Sequence, residues 1–346
     1  MKGFVITPLT KKDMTAFRHY IGKAFHRKYI LRDARYLKWQ YSRFYIIRAG
    51  GSIVGHFGFR DVAYKVHDTT KRVRVLMNLY VLAPYRIFGV GTMLIKKVFA
   101  TAQPVFVSGY TQATGRLGKE LRSGWNDAGV LERHLAILDD SASLLARYGS
   151  LKALSRLQRK TIRDPFVVNH SISVSSTADI SFSELWRAVK SRYPVAVERT
   201  DAYMKWRFKK HPMLSYHFLL ARRARTAAGY IVYRYEEDQG FKIARIIDFV
   251  AEKAAERSLL SEFIEKSRRE GAHAADFLFS GAFYKDSLKY AGFFNTHKTS
   301  FANFPILFSP IAYEKTKINI GYDLPVSFSD CYFTKADGDQ DRPNPQ

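Results

Sequence analysis

The sequence predicts an α/β chain made of two tandem copies of one fold, and three observations carry that prediction. An apolar run, Val75 to Leu82, leads through a glycine-containing turn into an amphipathic helix. The phrase Tyr36-Leu37-Lys38-Trp39-Gln40-Tyr41 returns as Tyr203-Met204-Lys205-Trp206-Arg207-Phe208, each shortly after an Asp-Ala pair. After each phrase come two strand-like segments joined by a small turn: Phe44 to Arg48 and Ile53 to Phe59, then Tyr216 to Ala221 and Gly229 to Tyr235.

The remaining elements follow in order. In the first copy Val75 to Leu82 has strand composition and Pro84 ends it. Met93, Leu94, Val98 and Phe99 then recur at helical spacing. Leu121 to Trp125 closes another helix with a glycine and an aromatic ring, and the strand Val130 to Leu138 follows. The second copy continues as a strand at Ala244 to Val250, a helix at Ala255 to Glu270 and a strand at Ala274 to Phe279. It closes with a helix at Ser287 to Phe294 around Gly292-Phe293. Between the copies, Ser141 to Arg163 combines spaced leucines with Arg147, Arg156, Arg159 and Lys160, a basic amphipathic helix or helix pair. It packs between domains, lies on an anionic leaflet or grips a substrate phosphate. The expected division is 1–140, a basic linker 141–175, a degenerate second copy 176–334 and a disordered polar tail 335–346.

The turn has the form R-x-x-G-x-G: Arg86, Ile87, Phe88, Gly89, Val90 and Gly91. Two glycines let the backbone approach an anion closely, and the helix that opens there presents unpaired amides and the positive end of its dipole. The guest this predicts is a pyrophosphate. At the corresponding place the second copy has Glu252 to Arg257, with no glycine and two carboxylates that would repel one. The ligand therefore belongs to the first copy, and the second shapes the acceptor cleft.

On these residues the sequence resembles the GNAT superfamily of acyl-CoA N-acyltransferases. The phrase Val81-Leu82-Ala83-Pro84-Tyr85-Arg86 before the cradle and the later Leu121-Arg122-Ser123-Gly124-Trp125 both match the family's pattern, over about residues 1 to 140. The resemblance implies that each copy is a twisted, mixed, largely antiparallel sheet flanked by helices. It implies that the amides of Ile87, Phe88, Gly89, Val90, Gly91 and Thr92, with Arg86, bind the CoA pyrophosphate. The backbone of Leu79, Tyr80 and Val81 would splay to hold pantetheine and thioester. In many relatives a tyrosine before the late Gly-aromatic phrase protonates the leaving thiolate; here that position is Glu120.

Direct attack by an amine needs a base or a water path and a donor for the developing oxyanion. Polar residues interrupting apolar strands are the candidates: Asn78, His134, Asp248 and His56. Each reads equally as a satisfied core group. Asp248 is also a candidate for acceptor binding. A looser similarity, to bacterial proteins that acylate amino sugars for surface polysaccharides, implies a nucleotide-linked amino sugar as acceptor. Trp39, Tyr41, Trp206 and Phe208 then serve as core aromatics or stack on the sugar or base.

At 346 residues, with 47% hydrophobic and 15% aromatic content, the chain can bury two ordinary cores. Its single cysteine, Cys331, forms no internal disulfide or zinc site by itself, so a reducing compartment and a metal-free mechanism are expected. Pro8, Lys11 and Lys12 break any signal peptide, and Phe301 to Tyr313 is too short to span a bilayer; a cytoplasmic protein is expected. The net charge of +25 suits an anionic partner: CoA, a sugar nucleotide, transfer RNA or an anionic membrane surface. Two other readings stay open, a FemABX-like aminoacyl-tRNA-dependent transferase and a non-catalytic module binding an anionic surface through Arg156, Arg159 and Lys160.

Overall fold

The computed structural model describes residues 3–25, 29–138, 171–176, 180–238, 240–296 and 318–342. The first copy opens with β1 (Phe4–Pro8), α1 (Met14–Ala24) and α2 (Ala34–Gln40). Asp33 starts α2, its carboxylate accepting the amides of Arg35 and Tyr36. An antiparallel meander follows: β2 (Arg43–Ala49), β3 (Ser52–Val66) and β4 (Thr69–Val81). A turn at Ala83–Phe88 enters α3 (Val90–Phe99), and β5 (Val105–Ser108), α4 (Gln112–Leu121) and the long β6 (Asn126–Ile137) complete the copy.

The second copy repeats the series. It begins with β7 (Ile172–Ser175), α5 (Phe182–Val189), β8 (Val195–Val197) and α6 (Asp201–Met204), the last continuing as a π-helical turn over Lys205–Lys209. The meander β9 (His217–Arg223), β10 (Thr226–Asp238) and β11 (Phe241–Ala251) leads to α7 (Glu256–Arg269), β12 (Ala274–Phe279), α8 (Lys285–Tyr290) and β13 (Phe294–Asn295). Near the end come β14 (Ile318–Tyr322) and β15 (Cys331–Tyr332). The basic segment Ser141 to Arg163 lies outside the described residues. Among the described residues, no helix is long and apolar enough to cross a membrane.

The two copies share one continuous sheet, in the order β1-β2-β3-β4-β5-β14-β6-β12-β11-β10-β9-β7. Each copy donates a strand to the other. β14, from the end of the chain, wedges between β5 and β6 of the first copy. The distal part of β6, from Glu132 onward, wedges between β12 and β13 of the second. The handover falls between Leu131, opposite Ile318, and Glu132, opposite Phe279. Gly321 on β14 and Gly118 on α4 both press against the Trp125 ring, where a Cβ would come within 2.6 and 2.5 Å of it. The Trp125 ring of the late phrase is thus seated on two glycines outside that phrase.

The repeated aromatic phrases meet face to face. Trp39 and Trp206 stack with ring centroids 5.3 Å apart. Each indole N–H donates to the other's backbone carbonyl, at 2.8 and 2.9 Å. The Arg60 guanidinium lies over the Trp206 ring at 4.1 Å. These rings join the two copies, which is the core role and leaves no face of the pair for a sugar.

Residues 335–342 are not a solvated tail. Lys335, Asp337, Asp339, Gln340 and Asp341 are all buried, and carboxylates among them meet arginines of the second copy. Asp337 pairs with Arg199 at 2.9 Å, and Asp341 with Arg234 at 2.8 Å and Arg207 at 3.5 Å. Tyr216 donates to Asp341 at 2.7 Å. A polar composition disorders a segment only when its charges have no partners; here they are neutralised in place.

Candidate active site

The site starts from a fault in β4. His56 pairs with Tyr80 and Gly58 with Met77, so two residues of β4, Asn78 and Leu79, stand against Phe57 alone. This is a β-bulge, and Asn78 adopts φ 56°, a left-handed conformation for which Asn is among the better-suited side chains. On its other edge β4 runs parallel to β5 only through Leu76, opposite Val107. Beyond that point the two strands part, as β5 turns away at Gly109 with φ 68°. A cavity of about 280 Å³ fills the opening, lined by Asn78, Leu79, Tyr80, Ser108, Gly109 and Tyr110 together with Phe25, Tyr29, Asp339 and Arg342. The splay expected around Leu79 to Val81 is therefore present, with β4 parted from β5 beside the cavity.

The cradle adjoins it. Arg86, Ile87 and Phe88 form a tight turn, Gly89 turns the chain at φ 70°, and Val90, Gly91 and Thr92 open α3. The first amides of a helix have no intrahelical acceptor, so they face outward there. A Cβ on Gly89 would meet nothing within 4 Å and one on Gly91 only Val81 at 3.9 Å, leaving room for a phosphate. Ile87 is 84% exposed and Phe88 55%, an apolar lip beside the anion site. Arg86 donates from Nε to the Val81 carbonyl at 2.9 Å and covers the Tyr80 ring, which ties the cradle to the end of β4. These residues fit a CoA pyrophosphate and the start of its pantetheine arm. In the second copy the first residue of the corresponding helix, Glu256, is buried and paired with Arg192 at 2.6 Å, so that helix opens on a carboxylate of its own.

The remaining candidates separate. Asn78 lies in the cavity wall, its amide donating to the Tyr41 hydroxyl. Glu120 is exposed on α4 and is not among the residues lining the cavity. His134 is buried in the part of β6 that belongs to the second copy, stacked on Phe279 with Nε2 3.6 Å from Glu132. Asp248 is fully buried. It accepts from Tyr230 at 2.7 Å and pairs with Arg199 at 3.1 Å. His56 sits behind the bulge with Nδ1 2.9 Å from the Tyr20 hydroxyl, and burial holds its pKa down at about 3. It is a neutral core group. Cys331 is buried, and burial pushes its thiol up to about 12, far from a nucleophile.

Three groups in the cavity escape sequence reasoning. Tyr110, just beyond β5, donates to Asp127 at 2.7 Å; burial, with that carboxylate beside it, raises its pKa and keeps the phenol protonated. Tyr29 and the pair Asp339 and Arg342 complete the opposite wall. The signal for Tyr110 is its place shortly after the apolar run Val105 to Val107, a polar residue at a strand end. Nothing in the composition of residues 335–342 places them there.

Residues 13–110 match the model of the acetyltransferase (GNAT) family. Solved structures share the fold across most of the chain. A GCN5-related N-acetyltransferase from Anabaena variabilis ATCC 29413 superposes with a TM-score of 0.61 at 15% identity, covering 92% of this chain and 72% of that one. A protein of Enterococcus faecalis V583 described as a probable N-acyltransferase gives 0.58 at 13% identity, covering 85% and 70%. A GCN5-related N-acetyltransferase from Kribbella flavida gives 0.52 at 14%, covering 79% and 63%. No curated protein matches the sequence. The match to the acetyltransferase (GNAT) family thus falls on the N-terminal copy, over the residues that build the cradle and the bulge, and the solved structures share the fold.

Proposed function

We propose that the enzyme transfers an acyl group from acyl-CoA on the N-terminal copy to an amine presented at the bulge, and that this amine belongs to a phosphate- or nucleotide-bearing amino sugar in the cytoplasm. The observation that carries the reading is the adjacency of the open cradle at Gly89 and Gly91 to the splayed end of β4, to which Arg86 ties it through the Val81 carbonyl. The acceptor's ammonium gives one proton to water, the neutral nitrogen attacks the thioester carbonyl, the C–S bond breaks with its electron pair on sulfur, Tyr110 gives its proton to the departing thiolate, and the second proton released from the nitrogen returns through water to the Tyr110 phenolate. Support for an anionic acceptor comes from a second cavity of about 370 Å³, which shares Tyr29 with the first and is lined by Arg18 and Arg32, with Arg35 paired to Asp33 in its wall.

Calorimetric titration with acetyl-CoA tests the co-substrate half. Saturable binding is expected, lost in Gly89→Glu, which sets a carboxylate beside the pyrophosphate and strains the turn at φ 70°; Gly89→Ala carries the strain without the charge and is expected to keep more of the affinity. Equal affinity in wild type and Gly89→Glu would refute the cradle. Glucosamine 6-phosphate and a uridine-diphosphate amino sugar are the first acceptors to assay.

A further inference from the structure

The acceptor wall of the cleft contains an ion pair built from the chain's own end. Arg342 donates from Nη1 to the Asn78 side-chain oxygen at 2.5 Å and to the Tyr29 hydroxyl at 2.9 Å. Its guanidinium stands 3.6 Å from Asp339 Oδ2, a looser contact than the 2.8 to 3.1 Å pairs that Arg199 and Arg234 make deeper in the fold. Asn78 is oriented to accept from a cation, because its NH2 group is spent on Tyr41 and its oxygen faces the cavity. Carboxylate, amide oxygen and phenol oxygen thus converge on one cation inside the opening between β4 and β5.

The carboxylate is held rigidly. Asp337 on one side is clamped by Arg199, and Asp341 on the other by Arg207 and Arg234. Gln340 fixes the stretch to β5 by donating to the Ser108 carbonyl at 3.0 Å, and also donates to Asp339 Oδ1 at 3.2 Å. Arg342 lies one residue past the last clamped carboxylate. Burial raises the pKa of Asp339 and Arg342 opposes that, so the carboxylate gains from any cation beside it.

We propose that Asp339, with Asn78 and Tyr29, is the amine-recognition site of the acceptor cleft, and that Arg342 holds it as an internal cation until the acceptor's ammonium group displaces it. This rests on the acyl-transfer reading above and adds the residues that read the acceptor. The class selected is a cationic amine, primary and unhindered enough to enter beside the bulge. Asp339 binds the acceptor; it is assigned no proton transfer.

The test uses the full chain, acetyl-CoA, and three amines: glucosamine 6-phosphate, spermidine and methylamine, with free thiol release as readout. Asp339→Asn is expected to raise KM for the amine about tenfold or more, with acetyl-CoA affinity unchanged. Arg342→Ala is expected to move KM the other way, because it vacates the site. A purely structural ion pair would not split the two variants, so equal or absent shifts in KM overturn the proposal. So does a wild-type protein that binds acetyl-CoA but acetylates none of the three amines. If Asp339→Asn fails to fold, Arg342→Ala decides alone, and an unchanged or raised KM overturns the assignment. Failure of the wild type to bind acetyl-CoA is a different result, which removes the cradle reading and this inference with it.

Discussion

Asn78 and Asp248 occupy the same point of the two copies. Each lies two residues beyond the last parallel pairing with the strand that follows, Leu76 with Val107 on β5 and Ile246 with Phe277 on β12. Each also sits at a β-bulge against the strand that precedes it, β3 or β10. Their environments have diverged: Asn78 faces a cavity, and Asp248 is sealed by Arg199, Tyr230 and Thr334.

Asp248 is accordingly a stability residue. Asp248→Asn should cost roughly 3 kcal/mol, since it leaves the buried Arg199 with only Asp337 as counter-charge. Denaturant unfolding reads this directly. Lost turnover at unchanged unfolding midpoint would return Asp248 to the acceptor site.

Asn78 should respond to backbone shape more than to size. At φ 56° a β-branched side chain is strained, so Asn78→Val should lower stability by about 1–2 kcal/mol and disturb the bulge of β4. Asn78→Gly should keep the bulge and acetyl-CoA affinity while losing the contact to Arg342. Thermal melts and calorimetry on the pair separate the two effects.

Tyr110→Phe removes the protonated phenol from the cavity wall. We expect kcat to fall about a hundredfold with acetyl-CoA affinity unchanged, the usual size of a lost general acid. A fall in affinity without a fall in kcat would make Tyr110 a binding residue instead.

His56 gives the fold a pH signature. Its folded pKa of about 3 lies below the ordinary 6.5, so the neutral ring stabilises the native state fully above pH 6.5. That contribution is lost as pH falls from 6.5 toward 3, at up to ~1.4 kcal/mol per pH unit for one proton. In His56→Phe the difference in stability from wild type should shrink or reverse across that window. A constant difference at pH 7 and pH 4.5 would refute the assignment.

Much of the fold is legible in the sequence because its signals are local. The cradle announces itself through Arg86, Gly89 and Gly91, and the duplication through two aromatic phrases that prove to stack on each other. The polar interruptions are visible but their roles are not, since Asn78 and Asp248 look alike in sequence and differ only in what crosses the sheet to meet them. The crossing segments are illegible for the same reason. β14 is five residues long, and nothing in those residues says that its partners are β5 and β6, some two hundred positions earlier. Residues 335–342 read as solvated because the arginines that neutralise them, 199, 207 and 234, are brought together only by the second copy's folding.

The exchange of strands sets an order on biosynthesis. The N-terminal copy carries the cradle, yet the gap between its β5 and β6 stays unfilled until residues 318–322 have been made. During translation the half that carries the cradle must therefore wait, partly open, until residues 318–322 emerge. Cutting the gene between the copies would separate each sheet from the strand that closes it, so the two halves are one folding unit despite their repeated architecture.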